Sequence, residues 1–253
     1  MKVGILAGGL GTRLAGHNDK IPKPMVPIGG KPILWHIMKG YAKYGFNEFV
    51  VALGYKSEVI KNYFTNYHKI SNDLTISIDD RITKLNRKPT ENWKVELLDT
   101  GLDNNTGKRV ELLAKHINGS FMLTYGDGVC NVNIDELLEF HKAHGKLATL
   151  TAVRPPARFG EVKIQNGEVI TFAEKPQTST AWINGGFFVL DPGIIDYIEG
   201  NHQWEKEPLT KITKAKQLMA FQHEGFWHCM DTPNDVRSLE SLWSSGSPQW
   251  KTW

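Results

Sequence analysis

Four features of the chain have the residue types and spacing to handle phosphate chemistry. The first is Gly8-Gly9-Leu10-Gly11-Thr12-Arg13, which follows a short apolar run, Val3 to Ala7. Glycines let backbone N–H groups approach anionic oxygens closely, and an arginine adds a full, forked positive charge. The second is Lys23, ten residues beyond Arg13 and held between Pro22 and Pro24. The third is Asp127, in Tyr125-Gly126-Asp127-Gly128. The fourth is Asp231, in Met230-Asp231-Thr232-Pro233. Each aspartate follows a strand-like run, and carboxylates so placed can hold a hard cation such as Mg²⁺, usually one or two of them with substrate phosphates.

Each feature has a plainer alternative. The glycine run lacks the Lys-Ser/Thr pair that closes a P-loop. It also lacks the third glycine of a dinucleotide fingerprint, where Leu14 stands instead. It could be only a tight turn after a core strand. Asp127 could be a β-turn aspartate chosen for local hydrogen bonding. Asp231 could cap the helix that Pro233 begins, although Thr232 could do so instead. Glu174-Lys175-Pro176 could offer a carboxylate to hydroxyls and an ammonium to phosphate, or be a solvated turn. Asn184-Gly185-Gly186 interrupts an apolar strand and marks either close approach of a ligand or a bulge. Asp99-Thr100-Gly101 and Asn105-Thr106-Gly107 could let a planar base lie against the backbone, or be ordinary loops.

The elements that must position these residues alternate along the first half. Strands are predicted at Val3–Ala7, Phe49–Leu53, Leu74–Ile78, Val95–Leu98 and Phe121–Thr124. Helical spacing marks 33–41, 59–64, 109–116 and 134–144. This pattern predicts an α/β fold with a Rossmann-like, doubly wound, mostly parallel sheet. Ligands on such sheets gather beyond the carboxyl ends of the strands, where both the glycine loop and Asp127 fall. In the second half, Leu147–Val153, Glu161–Gln165, Val169–Ala173 and Ile183–Leu190 are closely spaced and predict a small antiparallel extension over the sheet mouth. Helical stretches follow near 194–198 and 234–242.

Composition narrows the function class. In 253 residues, 40% are hydrophobic and 23% charged, as in an ordinary globular chain. No apolar run approaches membrane-spanning length, and no charged-then-apolar leader opens the chain, so a cytoplasmic protein is expected. The net charge of +3 comes from scattered basic residues, which suits phosphorylated substrates and gives no footprint for nucleic acid. Cys130 and Cys229 cannot make a disulfide framework. They flank the two aspartates and could be neighbours in space. His141 and His144 lack a third ligand at metal spacing. Trp243, Trp250 and Trp253 suit packing of a C-terminal segment or an interface.

The ordered set of motifs resembles the sugar-phosphate nucleotidyltransferases. It comprises the glycine loop, Pro22-Lys23-Pro24, Gly29-Gly30-Lys31-Pro32, Gly54-Tyr55-Lys56, Thr124 to Gly128, Glu174-Lys175-Pro176, Ile183 to Phe188 and Trp250 to Trp253. The set runs along nearly the whole chain and is most similar to the branch that joins CTP to α-D-glucose 1-phosphate. The resemblance implies one nucleotidyltransferase domain over 1–253. Its nucleotide-binding half would span about 1–145, and its sugar-phosphate and oligomerisation half about 146–253. It implies Mg²⁺ as cofactor, held by Asp127 and Asp231, with Arg13, Lys23 and Asp127 catalytic. Leu6, Gly8, Gly9, Gly11, Thr12, Arg13, Lys23, Thr100, Gly101, Thr106 and Gly107 would bind the nucleotide. Tyr125, Gly126, Glu174, Lys175, Asn184 and Gly185 would bind the sugar phosphate. It further implies CDP-glucose for bacterial surface-polysaccharide dideoxysugars, and a homo-oligomer that would give exposed tryptophans a use. The chain departs from the pattern at Gly107-Lys108-Arg109, where Gly-Gly-Arg is expected, and between Ala15 and Ile21. The same chemistry with dTTP, UTP or another sugar 1-phosphate is the neighbouring reading. A regulatory binder without turnover is the reading from another class, and it would not need paired metal carboxylates.

Overall fold

Strand β1 (Val3–Leu6) is buried at every residue, as a central parallel strand covered on both faces must be. The computed structural model describes residues 1–11, 21–79, 82–86, 91–155, 160–173 and 181–253. A 3-10 turn at Lys23–Met25 leads to the two-residue strands β2 (Pro27–Ile28) and β3 (Lys31–Pro32), which pair with each other. There follow α1 (Ile33–Ala42), β4 (Glu48–Leu53), α2 (Ser57–Thr65), α3 (Tyr67–Ile70), β5 (Asp73–Ser77), β6 (Ile82–Asn86) and β7 (Lys94–Asp99). Next come α4 (Thr106–Ile117), β8 (Phe121–Tyr125), β9 (Gly128–Cys130), α5 (Ile134–His144) and β10 (Ala148–Val153). The chain then forms β11 (Glu161–Gln165), β12 (Glu168–Ala173), β13 (Ile183–Leu190), α6 (Glu207–Lys214), β14 (Leu218–His223), β15 (Trp227–Cys229) and α7 (Pro233–Ser244).

Seven strands make the central sheet in the order β14-β10-β13-β8-β1-β4-β7. Neighbours are parallel except where β13 runs against β8 and β10, so β13 alone is reversed. Separate hydrophobic clusters fill the two faces. One includes Ile33, Ile37 and Met38 of α1, Leu137 of α5 and Leu239 of α7; the other includes Val110 and Leu113 of α4 and Ile212 of α6. Helix boundaries follow local chemistry. Asn133 caps α5 by accepting the N–H groups of Asp135 and Glu136, and Gly145 ends it at φ +60°.

The second half departs from the expected antiparallel extension. β10 and β13 enter the central sheet, because Ala148, Val153, Phe188, Val189 and Leu190 are buried and need cover on both faces. Of the four strands expected there, β11 and β12 stand apart, as a hairpin. The three-residue strands β9 and β15 carry no periodic signal long enough to read from sequence, whereas α6 places Leu209 and Ile212 at helical spacing on one buried face.

The tryptophans correct a second expectation, since none of the eight is exposed. Trp243, Trp250 and Trp253 ring His36, with centroids 4.9, 6.1 and 6.2 Å away. His36 lies 2.8 Å from the Ile28 carbonyl through Nε2, and its Nδ1 accepts the Trp250 indole N–H at 3.4 Å. That pairing requires a neutral ring carrying its proton on Nε2. Burial, aided by Lys251, holds its pKa down at about 4 against an ordinary 6.5. The stabilisation is therefore complete above pH 6.5 and lost as pH falls toward 4, on the order of 3 kcal/mol at most. Denaturant titrations at pH 7.5 and 4.5 should show this loss, and His36→Gln should lessen the pH dependence. An unchanged dependence in that variant would assign the loss to other groups.

Candidate active site

The carboxyl ends of β1, β4, β7 and β8 form one edge of the sheet, and Gly8 to Gly11, Lys23 and Asp127 collect there. Beyond β1, Ala7 N–H donates to Ala52 O at 3.0 Å and Gly8 O accepts Tyr55 N–H at 3.2 Å. Both Gly8 and Gly54 are steric necessities. A Cβ on Gly8 would lie 2.4 Å from Arg109 Nη1, and one on Gly54 would lie 2.6 Å from Gly8 O. Gly9 has open space where a Cβ would project, and Gly11 sits at φ +62° beside Lys23. The loop thus leaves Gly9 and Leu10 exposed and Gly11 half-buried, open to an incoming anion. Thr12 and Arg13 lie outside the described residues, as do Glu174 and Lys175.

Lys23 and the two aspartates form one cluster. The 3-10 turn and its prolines aim Lys23 at the sheet edge, with Pro24 packed where a Gly126 Cβ would lie only 3.1 Å away. Lys23 Nζ donates to Asp127 Oδ2 at 2.5 Å and also to Asp231 Oδ1. Burial alone would push the ammonium pKa down, but the charges and hydrogen bonds of Asp127 and Asp231 overcome it and hold the pKa above its ordinary value. The structure therefore places Lys23 on the carboxylates, between the glycine loop and the metal-binding candidates.

The two short strands bring those carboxylates together. β9 pairs with β15 so that Gly128 faces Cys229, and Met230 N–H donates to Asp127 O at 2.8 Å. Thr232, rather than Asp231, caps α7, in a reciprocal box with Asp235. The same pairing brings Cys130 and Cys229 onto adjacent strands, and both are free thiols. Burial pushes each thiol up to about 12, with nearby aspartates adding to the effect at Cys229. Neither is suited to act as a nucleophile at neutral pH.

Asp127 and Asp231 present hard oxygen donors from separate elements, converging on one ammonium-sized point. That set fits Mg²⁺ completed by substrate phosphates. Among the described residues, no group of three or more His, Cys, Asp or Glu forms a fuller metal site.

On the expected nucleotide side, the structure gives several residues internal work. Thr100 Oγ1 donates to Leu53 O at 2.6 Å and accepts from Arg109 Nη1 at 2.5 Å. Gly101 N–H donates to Asp99 Oδ1 at 2.9 Å. Gly107 N–H donates to His202 O at 3.0 Å, and a Cβ there would strike the same oxygen at 2.6 Å. Thr106 Oγ1 accepts Trp204 N–H at 2.8 Å. These residues hold neighbouring segments together at this end of the sheet. Leu6 lies in β1, and its carbonyl accepts Gly126 N–H at 3.0 Å.

Arg109 is a functional residue outside the expected site set, although it falls in the divergent Gly107-Lys108-Arg109 stretch. Its guanidinium is almost fully buried and donates to Leu53 O at 2.9 Å, Gly8 O at 3.1 Å and Leu102 O at 3.2 Å, besides Thr100. The available signal was an arginine on the apolar face of α4, beside Val110 and Leu113.

On the expected sugar side, Asn184 Nδ2 donates to the Tyr125 hydroxyl at 3.3 Å, and Asn184 Oδ1 accepts Gly186 N–H at 2.8 Å. Gly186, at φ +79°, admits the Tyr125 ring, which a Cβ would meet at 2.4 Å. Gly185 O accepts the Trp227 indole N–H at 2.7 Å.

The family profile described as nucleotidyl transferase matches residues 2–248. The chain belongs to the nucleotidyl transferase family. It is 50% identical over 256 residues to glucose-1-phosphate cytidylyltransferase of Salmonella typhi, covering 100% of both chains. It is 43% identical, again over 100% of both chains, to a relative from Bacillus subtilis named probable glucose-1-phosphate cytidylyltransferase. Among solved structures, HddC from Yersinia pseudotuberculosis superposes with a TM-score of 0.69 at 26% identity, covering 96% of this chain and 99% of that one. The expected family and α/β fold class are thereby borne out. Among the described residues, no helix is long and apolar enough to cross a membrane.

Proposed function

We propose that this nucleotidyltransferase joins CTP and α-D-glucose 1-phosphate, forming CDP-glucose and releasing pyrophosphate. The observation that carries the reading is the Lys23, Asp127 and Asp231 cluster beside the glycine loop. Full-length identity to named cytidylyltransferases supports the choice of substrates. A phosphate oxygen of glucose 1-phosphate attacks the α-phosphorus of CTP. A new P–O bond forms, the α–β bridging P–O bond breaks, and its electron pair leaves with pyrophosphate. The nucleophile is already an anion, so no general base is required. The obstacle is repulsion between polyanions and the charge that grows on the leaving group.

The chain's residues address that obstacle by position and charge. Backbone N–H groups of the glycine loop, with Arg13, cradle the triphosphate. Lys23 offsets charge near the α-phosphate. Tyr125, Gly126, Glu174, Lys175, Asn184 and Gly185 seat the sugar phosphate. Asp127 and Asp231 would hold Mg²⁺, which would supply positive charge to neutralise the phosphates. We place the enzyme in the cytoplasm, in keeping with its two free thiols, and its product in bacterial surface-polysaccharide synthesis. We also propose a homo-oligomer, since Val162, Ile164, Ile170 and Phe172 leave the β11–β12 hairpin with exposed apolar groups.

Two experiments test the reading. Pyrophosphate release with CTP, UTP, dTTP, ATP or GTP and glucose 1-phosphate should be about tenfold or more faster with CTP. A faster rate with another nucleotide would reassign the base. Asp127→Asn and Asp231→Asn should each raise the Mg²⁺ concentration for half-maximal activity by about tenfold or more. Metal titrations matching the unmodified protein would make both aspartates structural.

A further inference from the structure

The segment before α6 carries a carboxylate that no sequence motif singled out. Trp204 anchors it, fully buried with its ring 6.0 Å from that of Phe188. The segment is zipped to the start of α4. Asn105 N–H donates to Asn201 Oδ1 at 2.7 Å, Asn105 Nδ2 donates to Asn201 O at 2.8 Å, and Gly107 N–H donates to His202 O at 3.0 Å. From that base Glu205 reaches two hydroxyls. Its Oε1 accepts the Tyr125 hydroxyl at 2.6 Å, and its Oε2 accepts Thr106 Oγ1–H at 2.8 Å. The Tyr125 hydroxyl accepts in turn from Asn184 Nδ2 at 3.3 Å.

Thr106 begins α4, on the nucleotide side of the sheet edge. Tyr125 ends β8 and Asn184 lies at the start of β13, both on the sugar side. A carboxylate with both oxygens engaged in charge-assisted O–H···O⁻ bonds is fixed in position, and such bonds are about twice as strong as neutral ones. Burial, with Glu205 beside it, pushes the Tyr125 phenol pKa up and keeps it a donor.

We propose that Glu205 is a positioning residue that holds Tyr125, and through it Asn184, in register for the sugar phosphate while tying both to the nucleotide-side wall. This rests on the two-substrate reading above. A loop staple with no functional role would need only the Asn201, His202 and Trp204 bonds, all of which survive without the Glu205 carboxylate. Glu205 acts through Tyr125, so its effect falls on the sugar-phosphate substrate.

The test is steady-state kinetics with the nucleotide and sugar 1-phosphate on which the unmodified protein is fastest. Glu205→Ala should lower kcat/KM for the sugar phosphate about 10- to 100-fold. The KM for the nucleotide should change less than about threefold, as expected for a group remote from the triphosphate. Glu205→Gln keeps an acceptor for one hydroxyl and a donor for the other, and should recover most of the loss. Tyr125→Phe should match Glu205→Ala, and the double variant should lose no more than either single one. Equal shifts in both KM values, no recovery by glutamine, or fully additive losses would overturn the clamp. An unmodified protein inactive on every nucleotide and sugar pair would overturn the functional reading itself.

Discussion

Lys23→Ala should lower kcat by about two to three orders of magnitude, the cost of removing one preorganised stabilising donor, about 2.7–4 kcal/mol of barrier. The KM for glucose 1-phosphate should move far less. Lys23 is placed by two prolines and a 3-10 turn, and its ammonium is mostly shielded from water, so solvent cannot replace it. Its removal also takes away the ammonium that Asp127 and Asp231 share in the absence of metal. Single-turnover measurement at saturating Mg²⁺ separates the chemical step from binding. Turnover close to that of the unmodified protein would remove Lys23 from the mechanism.

Arg109→Met should be the most damaging change away from the reacting groups. The guanidinium gathers Gly8, Leu53, Thr100 and Leu102 from three segments around the glycine loop, and all four acceptors are neutral oxygens. Methionine fills similar space but offers no donor. Leu53 O and Gly8 O keep other backbone donors, from Thr100 and Tyr55, whereas the Leu102 carbonyl and the Thr100 hydroxyl lose theirs. Leu102 is exposed, so water can meet its carbonyl, and the buried Thr100 hydroxyl is the acceptor left unmet, an expected loss of about 2 kcal/mol. For a chain of this size that corresponds to a Tm lower by roughly 4–8 °C. A raised KM for CTP should accompany it, because the glycine loop loses its rear support. A Tm within about 2 °C of the unmodified protein, with unchanged CTP affinity, would show that the loop holds its place without the arginine.

The readability of this fold from sequence depended on the range of the interactions. Helix α5 was read to its ends, Ile134 and His144, because its Asn133 cap and Gly145 terminator are neighbours in the chain. The glycine loop and the Asp127 turn were legible for the same reason: residue type and local conformation determine each other there. The β9–β15 pairing, which joins Asp127 to Asp231, was not legible. Three-residue strands carry no periodicity, and their partners are about a hundred residues apart. Thr106 and Gly107 show the limit well. A glycine and a small hydroxyl were visibly required, but the sequence could not say whether a base or the His202 and Trp204 backbone needed the room. Likewise the apolar run of β13 was seen, while its place between β8 and β10 depends on long-range pairing.

The central claim is that the edge of this sheet holds two polyanions so that one attacks the other. Phosphorus NMR of the protein with CTP, α-D-glucose 1-phosphate and Mg²⁺ tests it most directly. The account predicts that the CTP and sugar phosphate resonances fall together as a sugar-linked diphosphate and free pyrophosphate appear in equal amounts. Conversion of CTP to CMP and pyrophosphate with glucose 1-phosphate untouched, or no change in any resonance, would contradict it.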